Sequence, residues 1–439
     1  MTYTLSEHRY VVCGLGLTGQ ACVRFLLEKD AYVKAFDTRE HLALGEHTTL
    51  DAVEVLLGLP KASFFENVDT LVLSPGVSPN EPAVQEAKRC GLEIIGDVEL
   101  FARLTKTPCI GITGSNGKTT VTLLTTHILK SLGKRTVAAG NVGKPVLETL
   151  DAELDVIVLE LSSFQLEMTS SLVLQGATLL NLSEDHLDRH GSLEGYGNAK
   201  QRIFAHCASA VVWRDHEYSV PEYPVGEVIN YGLSASNEGF GVIDDNITYQ
   251  GQPLISFSEI PLAGEHNVLN VMAALGLCET LGVDLNEAVN SVKTFESAPH
   301  RCVELGNFNG IRWIDDSKAT NVGATIAAIQ GIAPRLSGKL HLIAGGDAKG
   351  ADLSPLRPVL EEHVASVFAL GKDADKIVHI FPKTQYCKSM RDAVIAAKNT
   401  AHHNDVVMLS PACASIDMFN NYIERAEVFK AAVMEGQHL

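Results

Sequence analysis

The sequence lacks an excess of positive charge. Its 439 residues include 35 Lys and Arg against 53 Asp and Glu, a formal net charge of −18 with histidine counted as neutral. A field of this sign repels a polyanion, so we expect no nucleic-acid partner. A small anionic substrate would need cations gathered locally, which makes glycine-flanked lysines the positions to search.

Signals for export and for membrane insertion are also missing. The sequence has no run of about 18 apolar residues, the length that a membrane span needs. Its first ten residues, MTYTLSEHRY, lack the basic segment and apolar stretch of a signal peptide. The nine cysteines are scattered singly, without a C-x-x-C pair, which favours a reducing compartment. We therefore expect a cytoplasmic protein without membrane association, and we expect a monomer.

The length of the chain exceeds what one hydrophobic core supports and corresponds to about three domains. Strand and helix patterns alternate throughout, which predicts an α/β protein. The pattern restarts near residues 91–98 and again after residues 297–299. We therefore expect a Rossmann-like N-terminal domain over residues 1–96, a P-loop-type central ATPase domain over 97–299, and a Rossmann-like C-terminal domain over 300–439.

The first predicted strand ends in a glycine-rich turn. Residues 14–19 read GLGLTG, a helix is predicted to follow as far as residue 29, and a second strand over residues 32–36 ends at Asp37. A G-x-G-x-x-G turn after a strand, with an acid about 20 residues further on, is the layout of a dinucleotide-binding fold. Because a single match of this kind is weak, NAD or FAD binding by an oxidoreductase remains an alternative.

A second glycine-rich turn carries a lysine. It follows a strand predicted over residues 109–113, reads GSNGKTT over residues 114–120, and leads into a predicted helix. Backbone N–H groups of such a turn bind phosphates, Lys118 adds a cation, and the Thr119 hydroxyl suits Mg²⁺. Ile112 stands where the complete motif has glycine, so a purely structural turn is the alternative. We expect an ATP-binding site here.

Two further predicted strands of the central region end in ionisable residues. Glu160 follows one of them, and His186 follows a strand predicted over residues 177–182. Ligands of parallel sheets bind beyond the carboxyl ends of the strands, so both side chains should face the second glycine-rich turn. One carboxylate together with Thr119 suffices for a first Mg²⁺. The pair His186 and His190 would also suit zinc, although no H-E-x-x-H motif accompanies it.

The last third of the chain places lysines and small polar residues after three predicted strands. These turns read DDSKATN over residues 315–321, GGDAKG over 345–350 and SPACAS over 410–415. Lys318 and Lys349 belong to two of them, and a chance occurrence of surface lysines is the alternative. As in the central region, polar and cationic residues are thus predicted at the carboxyl ends of the strands.

Together these motifs resemble those of the Mur ligases of bacterial cell-wall synthesis, in order and over essentially the whole chain. The discriminating turns DDSKATN, GDAKGAD and SPACAS match the branch of that family that adds D-glutamate. The resemblance implies ATP-dependent ligation of D-glutamate to UDP-N-acetylmuramoyl-L-alanine through an acyl phosphate, with release of ADP and phosphate, in peptidoglycan precursor synthesis. The segments shared across the family, and also with its folate-adding relatives, are residues 114–120, 160–165, 185–186, 196–204, 264–267 with Asn270, and 300–301.

The same resemblance implies roles for residues of the ATP site. Lys118, Glu160, His186 and Lys200 are the implied catalytic residues. Two Mg²⁺ ions are implied, held by Thr119, Glu160, His186 and Lys200, and Lys200 is the position that CO₂ carbamylates in this family. The implied ATP-binding residues are Gly114, Ser115, Asn116, Gly117, Lys118, Thr119, Thr120, Asn267, Asn270, Arg301 and Asp316.

Roles in binding the other two substrates are implied in the same way. The residues that match the UDP-substrate site are Thr18, Asp37, Thr38, Arg39, Gly76, Asn141 and Ser162, and those that match the D-glutamate site are Lys318, Thr320, Lys349, Ser415 and Tyr422. Two lysines suit the two carboxylates of glutamate. Ala348 departs from the glycine expected in GDGKGAD, and Tyr422 adds a hydroxyl where the family commonly has none.

Three other functions compete with this interpretation. An oxidoreductase would leave Lys118 and the turn DDSKATN without a role. A folate-polyglutamate-type ligase would not explain a complete N-terminal nucleotide domain. A nucleotide sensor without catalysis would not need Glu160, His186 and Lys200 together.

Overall fold

The structure is a computed structural model, and it describes residues 4–42, 49–262, 264–296 and 298–435. Within them, three mainly parallel sheets follow one another along the chain, and a small antiparallel sheet accompanies the second. This arrangement confirms the predicted α/β class. Among the same residues, no helix has both the length and the apolar character needed to cross a bilayer.

The N-terminal sheet has five parallel strands. They are β1 (Arg9–Cys13), β2 (Tyr32–Asp37), β3 (Glu54–Leu57), β4 (Thr70–Leu73) and β5 (Glu93–Gly96), with helices α1 (Leu17–Glu28) and α2 (Pro82–Arg89). Their order, β3-β2-β1-β4-β5, is Rossmann-like. All four residues of β4 are buried, as expected of a strand covered on both faces. The turn after β1 therefore lies at the middle of the carboxyl edge.

The central sheet has six parallel strands in the order β11-β10-β9-β6-β8-β7. The strands are β6 (Cys109–Thr113), β7 (Thr136–Gly140), β8 (Val156–Glu160), β9 (Leu174–Leu179), β10 (Cys207–Trp213) and β11 (Glu227–Tyr231). The helices of this region are α3 (Asp97–Ala102), α4 (Lys118–Ser131), α5 (Ser163–Glu167), α6 (Leu187–His190), α7 (Leu193–Gln201), α8 (Glu265–Glu279) and α9 (Leu285–Val292). The antiparallel sheet consists of β12 (Phe240–Ile243), β13 (Asn246–Tyr249) and β14 (Gln252–Ser256). The glycine-rich turn after β6 thus has β8 on one side and β9 on the other.

Strand β9 begins and ends earlier than the sequence predicts, at Leu174 and Leu179 instead of over residues 177–182. The chain beyond it turns toward the glycine-rich turn after β6. The Asn181 carbonyl accepts from the Ser115 N–H at 2.9 Å, and Asn181 Oδ1 accepts from the Asn116 N–H at 2.9 Å. The N–H groups of the turn thus find their partners in the residues just beyond β9.

The C-terminal sheet has six strands in the order β15-β16-β20-β17-β18-β19, with β15 antiparallel to its neighbour. The strands are β15 (Val303–Phe308), β16 (Ile311–Asp315), β17 (Leu340–Ala344), β18 (Val364–Ala369), β19 (Thr384–Tyr386) and β20 (Val406–Leu409). The helices are α10 (Val322–Ile332), α11 (Leu356–His363), α12 (Ala374–Ile380), α13 (Met390–Thr400) and α14 (Tyr422–Glu435). Because β16, β20 and β17 are neighbours, the turns DDSKATN, SPACAS and GGDAKG meet at one edge.

The hydrophobic cores join the three regions unequally. One cluster of buried side chains runs from the N-terminal region into the central region and includes Leu26, Phe101, Leu147 and Ile157. The two C-terminal clusters contain, among the described residues, only side chains from that region. The C-terminal region therefore has a core of its own, whereas the first two regions share one.

Candidate active site

The glycine-rich turn between β6 and α4 has the conformation of a phosphate-binding loop. Gly117 precedes the first residue of α4 with φ +84°, and a Cβ atom at this position would lie 2.5 Å from Asn270 Oδ1. Only glycine allows both the positive φ and this close approach of α8. The N–H groups at the start of α4 therefore face the carboxyl edge of the sheet, where an anion would be stabilised.

Lys118 closes over this loop. Its Nζ donates to the carbonyl oxygens of Gly114 at 2.7 Å and Ser115 at 2.9 Å. Burial lowers the pKa of Lys118, and the nearby carboxylates of Glu160 and Asp185 oppose that shift. The ammonium group is thus held at the loop by carbonyl oxygens that an anionic phosphate would replace as its partner.

Glu160 ends β8 next to the loop and is only 2% exposed. Its Oε1 accepts from Asn141 Nδ2 at 2.8 Å, whereas its Oε2 is buried and has no hydrogen-bond partner in the described part of the chain. A buried carboxylate oxygen without a partner is costly, so a cation fits there. Thr119 is also buried in the first turn of α4. A hydroxyl and a carboxylate form the kind of oxygen set that Mg²⁺ takes.

His186 occupies a left-handed conformation, φ +53°, immediately after Asp185. Its Nε2 lies 3.6 Å from Asp185 Oδ2, and its ring meets Phe164 edge-on at 4.8 Å between centroids. Burial lowers the pKa of His186 to about 4 despite the neighbouring carboxylate. The imidazole is therefore neutral at neutral pH, the form that offers a lone pair to a metal ion.

His190, the second histidine of the zinc alternative, also contacts Phe164. Its Nε2 is 3.0 Å from Ser163 Oγ, and its ring stacks on that of Phe164 with centroids 5.6 Å apart.

Lys200 on α7 is almost fully buried at 1% exposure. Its Nζ donates to the Gly114 carbonyl at 2.9 Å and to Thr113 Oγ1 at 3.3 Å, and it lies 4.6 Å from the centroid of the Tyr196 ring. Burial, reinforced by Lys118, holds the pKa of Lys200 well below its usual range. Burial therefore shifts this amine toward its neutral form next to the phosphate-binding loop.

The central and C-terminal regions enclose one cavity of about 360 Å³. The wall formed by the central region carries residues of the phosphate-binding loop and the acidic side chains. The wall formed by the C-terminal region carries cations and hydroxyl groups from the three strand-end turns and from α14. The lining residues that the sequence analysis had singled out are Ser115, Asn116, Gly117, Lys118, Thr119, Asn141, Glu160, His186, Arg301, Lys318, Thr320, Lys349, Ser415 and Tyr422. Asp185, Asn321 and Asn420 also line it.

The cations of the C-terminal side have protein partners in this structure. Lys349 Nζ is 3.0 Å from Asp185 Oδ1, a contact between residues 164 positions apart. Lys318 Nζ lies 3.8 Å from the centroid of the Tyr422 ring. Burial lowers the pKa of Lys318 to about 8, and the charge of Arg301 acts in the same direction. A dianionic ligand would find two amines within one cavity.

Arg425 is a structural residue of this site that the sequence analysis missed. It is 2% exposed and donates to Ser317 Oγ at 3.0 Å, to the Ser317 carbonyl at 2.7 Å and to the Cys413 carbonyl at 3.0 Å. It thereby joins the turn that carries Lys318 to the turn that carries Ser415. The one available signal was an arginine among the apolar positions of α14, which a surface helix also shows.

A smaller cavity of about 100 Å³ adjoins the first and contains the expected nucleoside residues Asn267, Asn270, Arg301 and Asp316, together with Thr120. Asp316 accepts from Ser410 Oγ at 2.7 Å and from the Cys302 N–H at 3.2 Å. Burial raises the pKa of Asp316 to about 7.

The residues expected for the UDP substrate are divided between two regions. Asn141 lines the central cavity, and Ser162 caps α5, accepting from the Gln165 N–H at 3.2 Å. Thr18, Thr38 and Gly76 lie at the carboxyl edge of the N-terminal sheet, where Asp37 is the last residue of β2 and Arg39 follows it.

The Asp37 carboxylate accepts hydrogen bonds from other residues of the chain. Its Oδ2 accepts from the Leu15 N–H at 2.8 Å and from Arg39 Nη2 at 2.7 Å, and its Oδ1 accepts from Arg39 Nε at 2.8 Å. The Arg39 guanidinium lowers the pKa of Asp37 to about 2. In a dinucleotide enzyme this acid would accept from the ribose hydroxyls instead, so the arrangement does not favour the oxidoreductase alternative.

Three family models match the chain in succession. They are the N-terminal domain described as Mur ligase MurD-like over residues 8–96, the Mur ligase middle domain over residues 112–278, and the Mur ligase glutamate ligase domain over residues 300–413.

Relatives of high similarity extend over nearly the whole chain. A UDP-N-acetylmuramoylalanine–D-glutamate ligase of Aliivibrio salmonicida is 39% identical and covers 96% of this chain and 96% of its own. Proteins of the same name from Legionella pneumophila, at 40% identity, and Methylobacillus flagellatus, at 41%, cover 98% and 99% of this chain and 99% and 98% of their own.

Solved structures share the fold at lower sequence identity. The UDP-N-acetylmuramate-alanine ligase of Thermotoga maritima superposes with a TM-score of 0.64 at 16% identity, covering 98% of this chain and 100% of its own. MurF of Acinetobacter baumannii gives a TM-score of 0.62 at 17% identity, covering 99% and 93%. With three successive family models and relatives near 40% identity over almost its full length, this chain belongs to the Mur ligase family.

Proposed function

We propose that this protein ligates D-glutamate to UDP-N-acetylmuramoyl-L-alanine at the expense of ATP, in the synthesis of peptidoglycan precursors. The observation that carries the proposal is the central cavity. A phosphate-binding loop and Glu160 Oε2, which has no hydrogen-bond partner in the described chain, line it together with Lys318 and Lys349. Relatives that carry the corresponding name align over nearly the whole chain. The chain thus combines a triphosphate site with a site for a dicarboxylate.

The reaction requires activation of a carboxylate. A carboxylate oxygen of the UDP substrate attacks the γ-phosphorus of ATP, the bond to ADP breaks, and an acyl phosphate forms. The amine of D-glutamate then attacks the acyl carbon, phosphate leaves, and the nitrogen loses a proton. Phosphoryl transfer asks mainly for positioning and for neutralisation of charge, which Lys118 and the N–H groups of its loop supply.

Mg²⁺ fits the residues beside the loop. Thr119 and Glu160 would hold a first ion, because Glu160 Oε2 is buried without a partner in the described chain. His186 and Lys200 would hold a second one, since His186 is neutral at neutral pH. When bound, such ions neutralise charge on the transferred phosphoryl group. The protein residues orient that group and exclude water from it.

Carbamylation of Lys200 by CO₂ completes this part of the proposal. Only a neutral amine attacks CO₂, and the burial of Lys200 lowers its pKa and so favours that form. The nitrogen forms a bond to carbon and releases a proton, and the product carries a negative charge. An anion at this position would attract Lys118.

D-Glutamate occupies the C-terminal side of the cavity in this proposal. Lys318 and Lys349 pair with its two carboxylates, and Thr320, Ser415 and Tyr422 complete the pocket. Asp185 holds Lys349 in the structure, so the substrate carboxylate must displace the Asp185 carboxylate. The preference for the D-isomer rests on the resemblance to relatives.

The UDP substrate extends from the N-terminal sheet toward Glu160. Thr18, Thr38 and Gly76 lie at the carboxyl edge of that sheet, and Asp37 holds Arg39 there as a cation for the diphosphate. Asn141 and Ser162 then lie nearer the sugar and its substituent. The shared core of the first two regions keeps these groups in register with the phosphate-binding loop.

We place the domain boundaries after residues 96 and 299, and the C-terminal domain moves about residues 297–301 in this proposal; residue 297 lies outside the described residues. Its separate core supports such a movement. Closure would protect the acyl phosphate from water. Small-angle scattering should report a smaller radius of gyration with an ATP analogue and the UDP substrate, and curves unchanged by both would contradict the closure.

We also propose a cytoplasmic monomer.

The test of the proposed function is phosphate release from ATP with Mg²⁺, UDP-N-acetylmuramoyl-L-alanine and, in turn, D-glutamate, L-glutamate, L-lysine and meso-diaminopimelate. Release that requires both the UDP substrate and D-glutamate is the expected result. Release with another amino acid would retain the ligase and overturn its specificity. Absence of release with all four would overturn the proposal.

A further inference from the structure

Asp97 is a buried acid for which the proposed mechanism has no use. It is the first residue of α3, directly after the end of β5, and it is only 4% exposed. The sequence analysis placed a domain boundary in front of it and gave it no other role. Burial raises the pKa of Asp97 to about 6, so above that pH the carboxylate is ionised and both of its oxygens are acceptors. A charge at this depth is unfavourable unless neighbours donate to it.

The Gln165 side chain of α5 donates to this carboxylate. Gln165 Nε2 lies 3.4 Å from Asp97 Oδ2, whereas Asp97 Oδ1 is buried without a hydrogen-bond partner in the part of the chain that the structure describes. The other end of the amide fixes its orientation, because Gln165 Oε1 accepts from the Ser162 N–H at 3.1 Å. A backbone N–H can only donate, so the amide oxygen must face Ser162 and the amide nitrogen must face Asp97.

Ser162 is thus joined to Asp97 through a single side chain. The Ser162 hydroxyl donates to Gln165 Oε1 at 3.2 Å and accepts from the Gln165 N–H at 3.2 Å, which forms a capping box at the start of α5. Ser162 lies two residues beyond Glu160 and is one of the residues proposed for the UDP substrate. A rotation of the Gln165 amide would therefore break hydrogen bonds to a residue of the substrate site.

A second contact holds the far end of α5 to the same joint between the first two regions. The Gly96 N–H donates at 3.4 Å to the carbonyl of Met168, the residue that follows α5. A Cβ atom on Gly96 would approach Met168 Cβ to 3.1 Å, so the two segments are closely packed. Val98 and Leu161, which flank these contacts, belong to the core that the first two regions share. The joint therefore packs directly against the segment that carries Ser162.

This placement matters because the UDP substrate spans both regions in the proposed function. Its nucleotide end lies at the N-terminal sheet, and its carboxylate must meet the phosphate-binding loop of the central region. A misplacement of about 1 Å at the reacting atoms can cost about 100-fold in rate. A hydrogen bond at the joint is well placed to keep the two ends of such a ligand in register.

We propose that Asp97 is a positioning residue for the UDP substrate: by accepting from Gln165 Nε2, it fixes the amide that holds Ser162 in place. This inference rests on the proposed ligase function and adds a residue that lines neither cavity of the active site. A role in stability alone is the competing explanation, and it predicts no preference for one of the three substrates.

The experiment compares Asp97→Leu, which removes the acceptor, with Asp97→Asn, whose amide oxygen can still accept from Gln165. Steady-state phosphate release is measured at a pH above the pKa of Asp97, with each substrate varied in turn. In Asp97→Leu, KM for UDP-N-acetylmuramoyl-L-alanine should rise about 3- to 10-fold, the effect of one modest hydrogen bond, while KM for ATP and for D-glutamate stays unchanged. Asp97→Asn should retain the wild-type KM.

Gln165→Met tests the same chain of hydrogen bonds from its other end. It should raise KM for the UDP substrate at least as much as Asp97→Leu does, and combining the two substitutions should add nothing, because both break one chain. This variant also decides the matter if Asp97→Leu does not fold, since an unchanged KM for the UDP substrate in Gln165→Met would overturn the inference.

The matched control is Glu99→Met. Glu99 is a second buried acid of α3, 2% exposed, whose carboxylate accepts from the Ser170 N–H at 2.7 Å and from the Ser171 N–H at 2.9 Å, beyond α5. Its loss should lower the urea midpoint at least as much as Asp97→Leu does and leave KM for the UDP substrate unchanged. An equal rise of that KM in Glu99→Met, an equal rise for all three substrates in Asp97→Leu, or an impaired Asp97→Asn would overturn the inference.

Calorimetric titration with UDP-N-acetylmuramoyl-L-alanine separates this inference from the ligase proposal. If the wild-type protein released no phosphate, the ligase proposal would fail, but Kd for the UDP substrate should still rise about 3- to 10-fold in Asp97→Leu. An unchanged Kd would overturn the inference alone, and absence of binding by the wild type would overturn both.

Discussion

Replacement of Arg425 by methionine tests whether this buried residue holds the amino-acid side of the active site together. The guanidinium makes three hydrogen bonds, of 3.0, 2.7 and 3.0 Å, to the Ser317 hydroxyl, the Ser317 carbonyl and the Cys413 carbonyl. Methionine fills a similar volume without a donor. Since the Ser317 hydroxyl still donates to the Tyr422 carbonyl at 2.8 Å, two carbonyl oxygens are left without this partner.

The expected cost follows from those two carbonyls. A buried acceptor left without a donor costs about 1–3 kcal/mol. Part of this loss is offset because a buried guanidinium is itself unfavourable, as its pKa, lowered by burial to about 10, indicates. We therefore expect the free energy of unfolding to fall by about 2–4 kcal/mol.

Two measurements check the prediction for Arg425→Met. Urea denaturation followed by circular dichroism should show a lower midpoint with an unchanged slope. Below that transition, KM for D-glutamate should rise more than KM for ATP, because the loosened turns carry Lys318 and Ser415. The matched control is Arg391→Met, since Arg391 is an exposed arginine of the same region whose Nη2 lies 3.6 Å from Glu435. Its stability should change by less than about 0.5 kcal/mol. Equal stabilities of the two variants would refute the reasoning.

Four further outcomes are expected. Glu160→Gln should reduce phosphate release by about 100-fold or more at an unchanged urea midpoint, and a wild-type rate would remove the carboxylate from the reaction. Depletion of CO₂ should slow the wild type reversibly and leave residual Lys200→Ala activity unchanged, whereas indifference of the wild type would argue against the carbamate. Lys349→Met should raise KM for D-glutamate at least about 10-fold with little effect on KM for ATP, and equal effects on both would contradict its assignment. Because Arg39 lowers the pKa of Asp37 to about 2, the contribution of this ion pair to the stability of the fold is complete above about pH 4. It is lost as the pH falls from about 4 to about 2. Acid unfolding monitored by fluorescence should therefore be less steep in that window for Arg39→Ala, and an unchanged profile would contradict the pairing.

The sequence alone determined the parts of this protein that depend on local pattern. A strand, a glycine-rich turn with Lys118 and a helix identify a phosphate-binding loop because backbone conformation there depends on nearest neighbours. Strand ends can be located from hydrophobic runs, and parallel sheets bring such ends to one edge. For that reason the sequence by itself predicts that Glu160 and His186 lie near each other, and that Lys318 and Lys349 do so as well.

Other features required the tertiary structure, because they depend on residues far apart in the chain. The contact between Asp185 and Lys349 spans 164 positions, and neither residue carries a local signal for the other. Arg425 is an ordinary helix residue by pattern, and only packing reveals the two turns that it joins.

A cavity of about 270 Å³ beside the end of β10, lined among others by Trp213 and His216, is the clearest case of this division. A nitrogen atom is unpaired when no hydrogen-bond partner contacts it. This can be recognised only when the neighbours of Trp213 and His216 in the described chain are known. Local sequence could place these residues near the end of a strand, but the approach of α8 and α10 decides whether their N–H groups meet water, protein or a closed cavity. Burial and hydrogen bonding are properties of the whole packed chain, and for that reason these two unpaired atoms emerged only from the fold.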